Sequence, residues 1–278
     1  MIALVLALGS SVAYGCADFL GGLGARKAHV LRTVMIAAPA SLVVELLVWP
    51  FLRAAFSPAA LAWGAASGVA SAAAFVLLYR TLAIGPMNVL SPITALVSAA
   101  LPVGVGLLQG EHLAAAGLVG LPLALVAVVL VSAGPGVRSA RPSRMALLLA
   151  FGAGAAIALQ LVFLHEAPAD SGVAPLIAGR TVASAITLTA AALLRRRLGR
   201  ERPAYAFSAV AGALDSVANL LFLIAARSGD LAVVAVIVAL YPAATVLLAR
   251  RVLAERLHLG QLVGLGAAAL AVTLLALT

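Results

Sequence analysis

Apolar runs of about twenty residues, parted by short polar breaks, fill the chain from one end to the other. Ten can be drawn, at 2–23, 31–50, 61–78, 87–108, 113–131, 145–164, 173–194, 204–226, 231–249 and 257–277. Each is close to the length an α-helix needs to cross roughly 30 Å of hydrocarbon. The pattern predicts an all-α integral membrane protein with ten transmembrane helices. The longest polar stretches are only 133–144 and 195–203, so no soluble domain is expected. The first run lacks a basic segment ahead of it and is expected to be retained as a helix rather than cleaved as a signal.

Composition agrees with this pattern. The chain of 278 residues is 64% hydrophobic and 10% charged, against roughly a quarter charged in ordinary soluble domains. A formal net charge of +9 could suggest nucleic acid, but the bases lie between the apolar runs rather than on one soluble face, so no nucleic-acid partner is expected. Odd-numbered connections hold fifteen bases: Arg26, Lys27, Arg32, Arg80, Arg138, Arg141, Arg144, Arg195, Arg196, Arg197, Arg200, Arg202, Arg250, Arg251 and Arg256. Even-numbered ones hold Arg53 and Arg227 beside Glu111, Glu166, Asp170 and Asp230. The positive-inside rule then places the odd connections in the cytoplasm and both termini outside. The same bases suit topology signals and contacts with lipid headgroups. Seventeen arginines against one lysine fit a GC-rich bacterial source, hence the bacterial inner membrane.

The turn-rich segment 134–144 lies near the middle and invites a search for a repeat. Shifted by 144 residues, 85–130 aligns without a gap on 229–274, with 17 of 46 positions identical. Alanine, leucine and valine identities carry little in such a composition. The pairs Gly85/Gly229, Glu111/Glu255 and Gly120/Gly264 carry more. The chain therefore divides into 1–133, a linker 134–144 and 145–278, with five helices in each half. An odd number of helices per half makes the repeat inverted, the architecture of alternating-access transporters.

The repeated unit runs from Arg80-Thr-Leu-Ala-Ile-Gly85-Pro through Pro92 to Gly110-Glu111, Gly117 and Gly120; its partner reads Arg227-Ser-Gly229-Asp, Tyr241-Pro242 and Glu255. Together with Tyr14-Gly15-Cys16-Ala17-Asp18-Phe19-Leu20-Gly21-Gly22, it resembles the EamA-type repeat of the drug/metabolite transporter superfamily over essentially the whole chain. Ala254 departs from the glycine usual before the second glutamate, and Pro242 has Ser98 as its repeat partner. The resemblance implies a secondary transporter of small metabolites, amino acids or drugs, commonly outward and often coupled to protons. No cofactor is implied, and the protein is expected to be a monomer or a homodimer.

Four charged residues fall within apolar runs: Asp18, Glu45, Arg180 and Asp215. Such groups usually face a bundle interior and mark a pathway, or else pair with one another, as Arg180 with Glu45. Tyr14 stands four residues before Asp18, and Asn219 four after Asp215, so each carboxylate shares a helix face with a polar neighbour. A carboxylate in low dielectric holds its proton more tightly than in water, which suits proton coupling. Tyr79, Gln160 and Tyr241 are weaker candidates, because tyrosines near span ends commonly anchor at the interface. The expected substrate or proton-coupling set is Tyr14, Asp18, Glu45, Tyr79, Gln160, Arg180, Asp215 and Asn219. Two carboxylates suit a cation or an amphoteric amino acid, Arg180 suits a carboxylate, and the sequence does not choose.

Glu111 and Glu255 precede apolar runs, where a carboxylate complements a helix dipole, and read as structural. Pro92, Pro102, Pro122, Pro175 and Pro242 are candidate kinks. Gly64/Gly68 and Gly260/Gly264 suit close helix packing. His165-Glu166 lacks further ligands for a metal, so none is expected. His-Glu-x-x-His, Gly-x-Ser-x-Gly and phosphate-loop motifs are missing from the sequence, which disfavours an intramembrane enzyme. A scaffold or receptor without transport is the other alternative.

Overall fold

The computed structural model describes residues 1–84, 87–111, 114–132, 143–199, 201–253 and 258–275. Glu255, Gly85 and most of the 134–144 linker, with Arg138 and Arg141, lie outside the described residues. The α-helices are α1 (Ile2–Lys27), α2 (Val30–Val48), α3 (Pro58–Ile84), α4 (Met87–Leu108), α5 (Ala115–Ser132), α6 (Arg144–His165), α7 (Ala174–Leu193), α8 (Tyr205–Ala226), α9 (Leu231–Val238), α10 (Tyr241–Leu253) and α11 (Leu259–Leu275). Among the described residues there is no β-strand beyond one isolated bridge, Ala54 to Gly172. Among the described residues, seven helices are long and apolar enough to cross a membrane: α1, α2, α3, α4, α6, α7 and α8. The other apolar segments, around α5, α9–α10 and α11, are shorter.

The expected ninth helix, 231–249, is broken in two. After Val238 the chain makes a turn at Ala239 and Leu240, and α10 starts at Tyr241. Pro242 is the physical reason, since it has no N–H for the carbonyl four residues back. Pro175 is also placed differently from expectation, at the start of α7, where its missing N–H costs nothing. Pro92, Pro102 and Pro122 sit within continuous helices.

Packing inverts the pattern of a soluble protein. The interior is rich in alanine, glycine and serine beside larger apolar residues, while Val5, Leu47, Leu118, Leu148 and Leu262 point outward. That arrangement suits a bundle in lipid, where small residues let helices approach and large apolar ones meet acyl chains. The family of apolar helices makes this a multi-pass membrane protein.

The principal helix contacts are exchanged across the two halves. α1 packs on α8 and α3 on α6; α2 packs on α8 and α3 on α7; α5 packs on α11. In the last pair, a methyl placed on Gly120 would lie 3.0 Å from Leu274 Cβ, and one on Gly264 2.9 Å from Leu130 Cβ. Each contact is the other shifted by 144 residues in both partners. Because the low-numbered end of α5 meets the high-numbered end of α11, the two helices run antiparallel. Gly64 and Gly68 similarly let α3 approach the backbone of α7 at Pro175 and Gly179.

The connections collect at two ends. At one, Ala55 N–H donates to Ser171 O at 3.0 Å and Val173 N–H to Arg53 O at 2.9 Å, joining the second and sixth connections. Arg227 of the eighth donates to Gly172 O (2.7 Å), Pro168 O (3.0 Å) and Ser171 Oγ (3.0 Å). Half-burial there pulls the Arg227 guanidinium below its ordinary pKa, partly countered by Asp170. Gln109 of the fourth connection donates to Glu166 of the sixth at 2.6 Å. At the other end Arg32 of the first connection donates to Leu198 O at 3.1 Å and Glu201 O at 2.8 Å, and also to Gly199 O. Arg26 reaches Leu82 O at 3.3 Å. Thus the second, fourth, sixth and eighth connections meet one another, and so do the first, third and seventh.

Glu111 does not serve the helix that follows it in sequence. Its carboxylate accepts from Leu231 N–H at 2.5 Å and Ala232 N–H at 2.9 Å, capping α9 from the opposite half. The residue at the N-cap, Asp230, makes no side-chain cap of its own. Two otherwise orphaned donors of α9 are thereby satisfied by a charge that also suits the helix dipole.

The α5–α11 approach is directly testable. Gly264→Leu has no room against Leu130 and Val131 and is expected to destabilise the bundle by about 1–3 kcal/mol through overpacking. Thermal unfolding of the detergent-purified variant measures this; an unchanged midpoint would show that the two helices do not approach so closely.

Candidate functional site

Helices α1 and α8, which carry Asp18 and Asp215, help to enclose a cavity between the helices. First-half helices contribute Tyr14 and Asp18 (α1), Ser71, Phe75 and Tyr79 (α3) and Ser98 (α4); second-half segments contribute Gln160 (α6), Asp215 (α8), Val238 and Ala239 at the helix break, and Tyr241 (α10).

Local spacing explains which side chains arrive. Tyr14 and Asp18 are one turn apart on α1, as are Asp215 and Asn219 on α8, and Ser71, Phe75 and Tyr79 follow at intervals of four on α3. Residues at such intervals share a helix face. The break between α9 and α10 exposes the Val238–Tyr241 corner to the cavity, and α1 comes close to it at Gly15, whose carbonyl accepts from Thr245 Oγ1 at 3.1 Å.

Behind the cavity wall runs a chain of hydrogen bonds. Arg180 Nη1 lies 2.9 Å from Asp215 Oδ2 and donates to Ser71 Oγ at 2.9 Å. Its guanidinium also lies 5.9 Å from the Phe75 ring centroid. Asn219 donates through Nδ2 to Asp215 O at 2.8 Å, and Gln160 Nε2 donates to Asn219 Oδ1 at 2.5 Å. Ser67 Oγ completes the run by donating to Gln160 O at 3.2 Å. Four of the expected site residues, Gln160, Arg180, Asp215 and Asn219, are thus one connected unit.

The pairing of Arg180 with Glu45, one alternative for the intramembrane charges, is not what the structure has. Arg180 is paired with Asp215, and Glu45 instead accepts from Ser216 Oγ at 2.8 Å, with its second oxygen buried and unpartnered among the described residues. The reason is position. Ser71 on α3 and Asp215 on α8 flank Arg180, whereas Glu45 is occupied by the residue next to Asp215. Glu45 does not line the cavity.

Asp18 differs from the other carboxylates. It is 7% exposed, lines the cavity, and among the described residues makes no hydrogen bond or ion pair. The hydroxyls of Tyr14 and Tyr241 beside it are also buried without a partner among the described residues. Their rings are 6.5 Å apart and tilted by 55°. Tyr79 is 1% exposed, with its ring 5.6 Å from that of Phe75. Tyr79 and Tyr241 are therefore cavity walls and not interfacial anchors. Phe75, Ser71 and Ser98 were not expected; the spacing of four on α3 was the available signal for the first two, and the repeat pairing with Pro242 for Ser98. Among the described residues no group of three or more His, Cys, Asp or Glu side chains could hold a metal ion.

The ion pair generates a prediction. Removing one member of a buried pair strands the other charge, at a cost of about 3–5 kcal/mol, whereas neutralising both costs much less. Arg180→Gln is expected to lower the unfolding midpoint strongly, and Arg180→Gln with Asp215→Asn to regain most of the loss. Equal midpoints for the single and double variants would show that the pair is not coupled.

Comparison with known proteins agrees with the helical architecture. A solved crystal structure superposes with a TM-score of 0.66 over 99% of this chain and 94% of its own, at 15% sequence identity, a likeness of fold alone. No curated protein matches the chain. Residues 144–277, just under half of the chain, match the EamA-like transporter family of the drug/metabolite transporter superfamily.

Proposed function

We propose that this protein is a secondary transporter that moves a small metabolite, amino acid or drug across the bacterial inner membrane by alternating access, with export coupled to protons. The observation that carries the reading is Asp18: a buried carboxylate, unpaired among the described residues, on the wall of a cavity shared by both halves. A group so placed has no structural debt to another side chain. It is free to take up and give away a proton, the exchange that coupling requires.

Two further features support alternating access. The units 1–133 and 145–278 act as inverted five-helix repeats, which accounts for the exchanged contacts Gly120 to Leu274 and Gly264 to Leu130 and for the antiparallel run of α5 and α11. The break between α9 and α10 lies at the cavity, as interrupted helices do at transporter sites. The grouping of even and odd connections at opposite ends supports the expected topology, with the base-rich odd connections in the cytoplasm and both termini outside. In this reading Asp18 is the proton-loading group; Tyr14, Tyr79 and Gln160 line the cargo site; and the Arg180–Asp215–Asn219 unit holds α7 and α8 in place around it. Glu45 supports α8 through Ser216.

Proteoliposomes enclosing a pH dye and given phenethylamine, phenylalanine or benzoate in turn provide the test. The wild-type protein is expected to move protons with at least one of these, and Asp18→Asn with none, while unfolding at a similar temperature. Proton movement by Asp18→Asn at the wild-type rate would remove Asp18 from the coupling step. No solute or proton movement by the wild type, alongside a stable protein partner, would favour a membrane scaffold.

A further inference from the structure

Glu45 is 1% exposed on α2, behind the cavity wall and close to the Arg180–Asp215 pair. We propose that the two carboxyl groups share one guanidinium: Asp215 holds Arg180 in this state, Glu45 holds it in another, and passing it across moves one proton from Glu45 to Asp215. The exchange rests on the transport reading for its purpose, but itself concerns only these three side chains.

The three groups have complementary hydrogen-bonding capacity to spare. A guanidinium carries five donors, and Arg180 uses only Nη1, which reaches Asp215 Oδ2 and Ser71 Oγ at 2.9 Å each. Its Nε and Nη2 make no hydrogen bond among the described residues. Glu45 is the complement: Oε1 accepts from Ser216 Oγ at 2.8 Å, while Oε2 is buried with no partner among the described residues. Helix α2 packs on both α7 and α8, and the Ser216 bond ties Glu45 to the residue next to Asp215. Ser41, one turn before Glu45, and Ser184, one turn after Arg180, also have buried hydroxyls unpartnered among the described residues. Residues four apart share a helix face. The Glu45 face of α2 and the Arg180 face of α7 thus each carry a further acceptor for a displaced guanidinium.

Charge balance gives the direction of the proton. A carboxylate as buried as Glu45, with one hydroxyl donor and no cation in contact, is an uncompensated charge of the kind that interiors exclude. A neutral carboxyl group, accepting at Oε1 and carrying its proton at Oε2, fits the same geometry. The charged groups that act on Glu45 are Arg180 of α7 and Asp215 of α8. Helices α1 and α3 also pack on α2, but Asp18 of α1 stands on the cavity wall, and Arg26, Lys27 and Arg80 at their ends are exposed. In the exchange the O–H bond of Glu45 breaks, an O–H bond forms on Asp215, and the guanidinium follows the negative charge. One arginine faces one carboxylate on either side of the step, so no buried charge is stranded. Asp215 lines the cavity and Glu45 does not, so the step delivers a proton to the cavity.

A double-mutant cycle on the purified full-length protein tests this, read as unfolding midpoints and as the infrared carbonyl band of neutral carboxyl groups. Wild type is expected to show a neutral-carboxyl band that Glu45→Gln removes, with little change in midpoint because glutamine still accepts from Ser216. Asp215→Asn is expected to lower the midpoint far less than Arg180→Gln, since Glu45 takes the guanidinium, and to remove the Glu45 band as that acid ionises. Asp215→Asn with Glu45→Gln is expected to lose more than the sum of the two single losses, up to failure to fold. Additive losses would overturn the proposal, as would a Glu45 band that persists in Asp215→Asn, or an Asp215→Asn protein that does not fold. Non-additivity of Asp215→Asn with Asp18→Asn instead of Glu45→Gln would give the exchange to Asp18 and overturn the role of Glu45. The transport reading fails separately. If wild type moves no protons in proteoliposomes, that reading falls and the cycle still decides the exchange. If wild type moves them and Glu45→Gln does so at the same rate, the exchange is overturned as a step of transport and transport stands.

Discussion

Charge placed at membrane depth must be paired, hydrated or used, and the Arg180–Asp215 ion pair determines how the rest of this bundle can be arranged. Arg180 comes from α7, Asp215 from α8 and Ser71 from α3, so satisfying one guanidinium fixes three helices against each other. Asn219 and Gln160 extend the constraint to α6. Ser67, Ser71, Gln160, Arg180, Asp215 and Asn219 form this network. Asp18, with Tyr14 and Tyr241, stands apart from it and borders the cavity.

The division has a chemical consequence. A carboxylate locked to an arginine cannot give up its counter-ion unless a second carboxylate takes the arginine, and the penalty of stranding the charge holds the lock closed until then. A carboxylate that makes no hydrogen bond or ion pair among the described residues carries no such obligation. The structure thus supplies both a fixed polar frame and one acid left available inside it. Neither would serve a transporter alone: a frame without a free group has nothing to exchange, and a free group without a frame has no defined surroundings.

Much of this was legible in the sequence, for physical reasons. Apolar length marked the helices because the bilayer sets a minimum span, and the bases marked the two sets of connections. The spacing of four brought out Tyr14 with Asp18 and Asp215 with Asn219, because helix periodicity decides which side chains share a face. Partnership between helices was not legible. The sequence alone offered Glu45 for Arg180 as readily as Asp215, since which carboxylate an arginine meets depends on how α2, α3, α7 and α8 pack. Tyr241 was a weaker candidate because tyrosines near span ends commonly anchor at the interface, and the structure places it on the cavity wall at the start of α10. Glu111 was read as serving the helix next in sequence, whereas the helix it caps begins 120 positions further on.

Glu111 and Pro242 together explain why the ninth apolar segment is the irregular one. At its start, α9 is held by two backbone donors to a carboxylate from the other half. At its far end, a proline denies the helix the bond that would continue it. The eight residues between them are almost wholly buried, so α9 is a short, anchored rod rather than a lipid-facing span. The Val238 carbonyl, four residues before Pro242, loses its helical donor there and has to face protein or water and not acyl chains. Val238 lines the cavity. The irregular backbone at Val238 and Ala239 and the acid at Asp18 therefore border the same cavity, where a ligand or water can meet both.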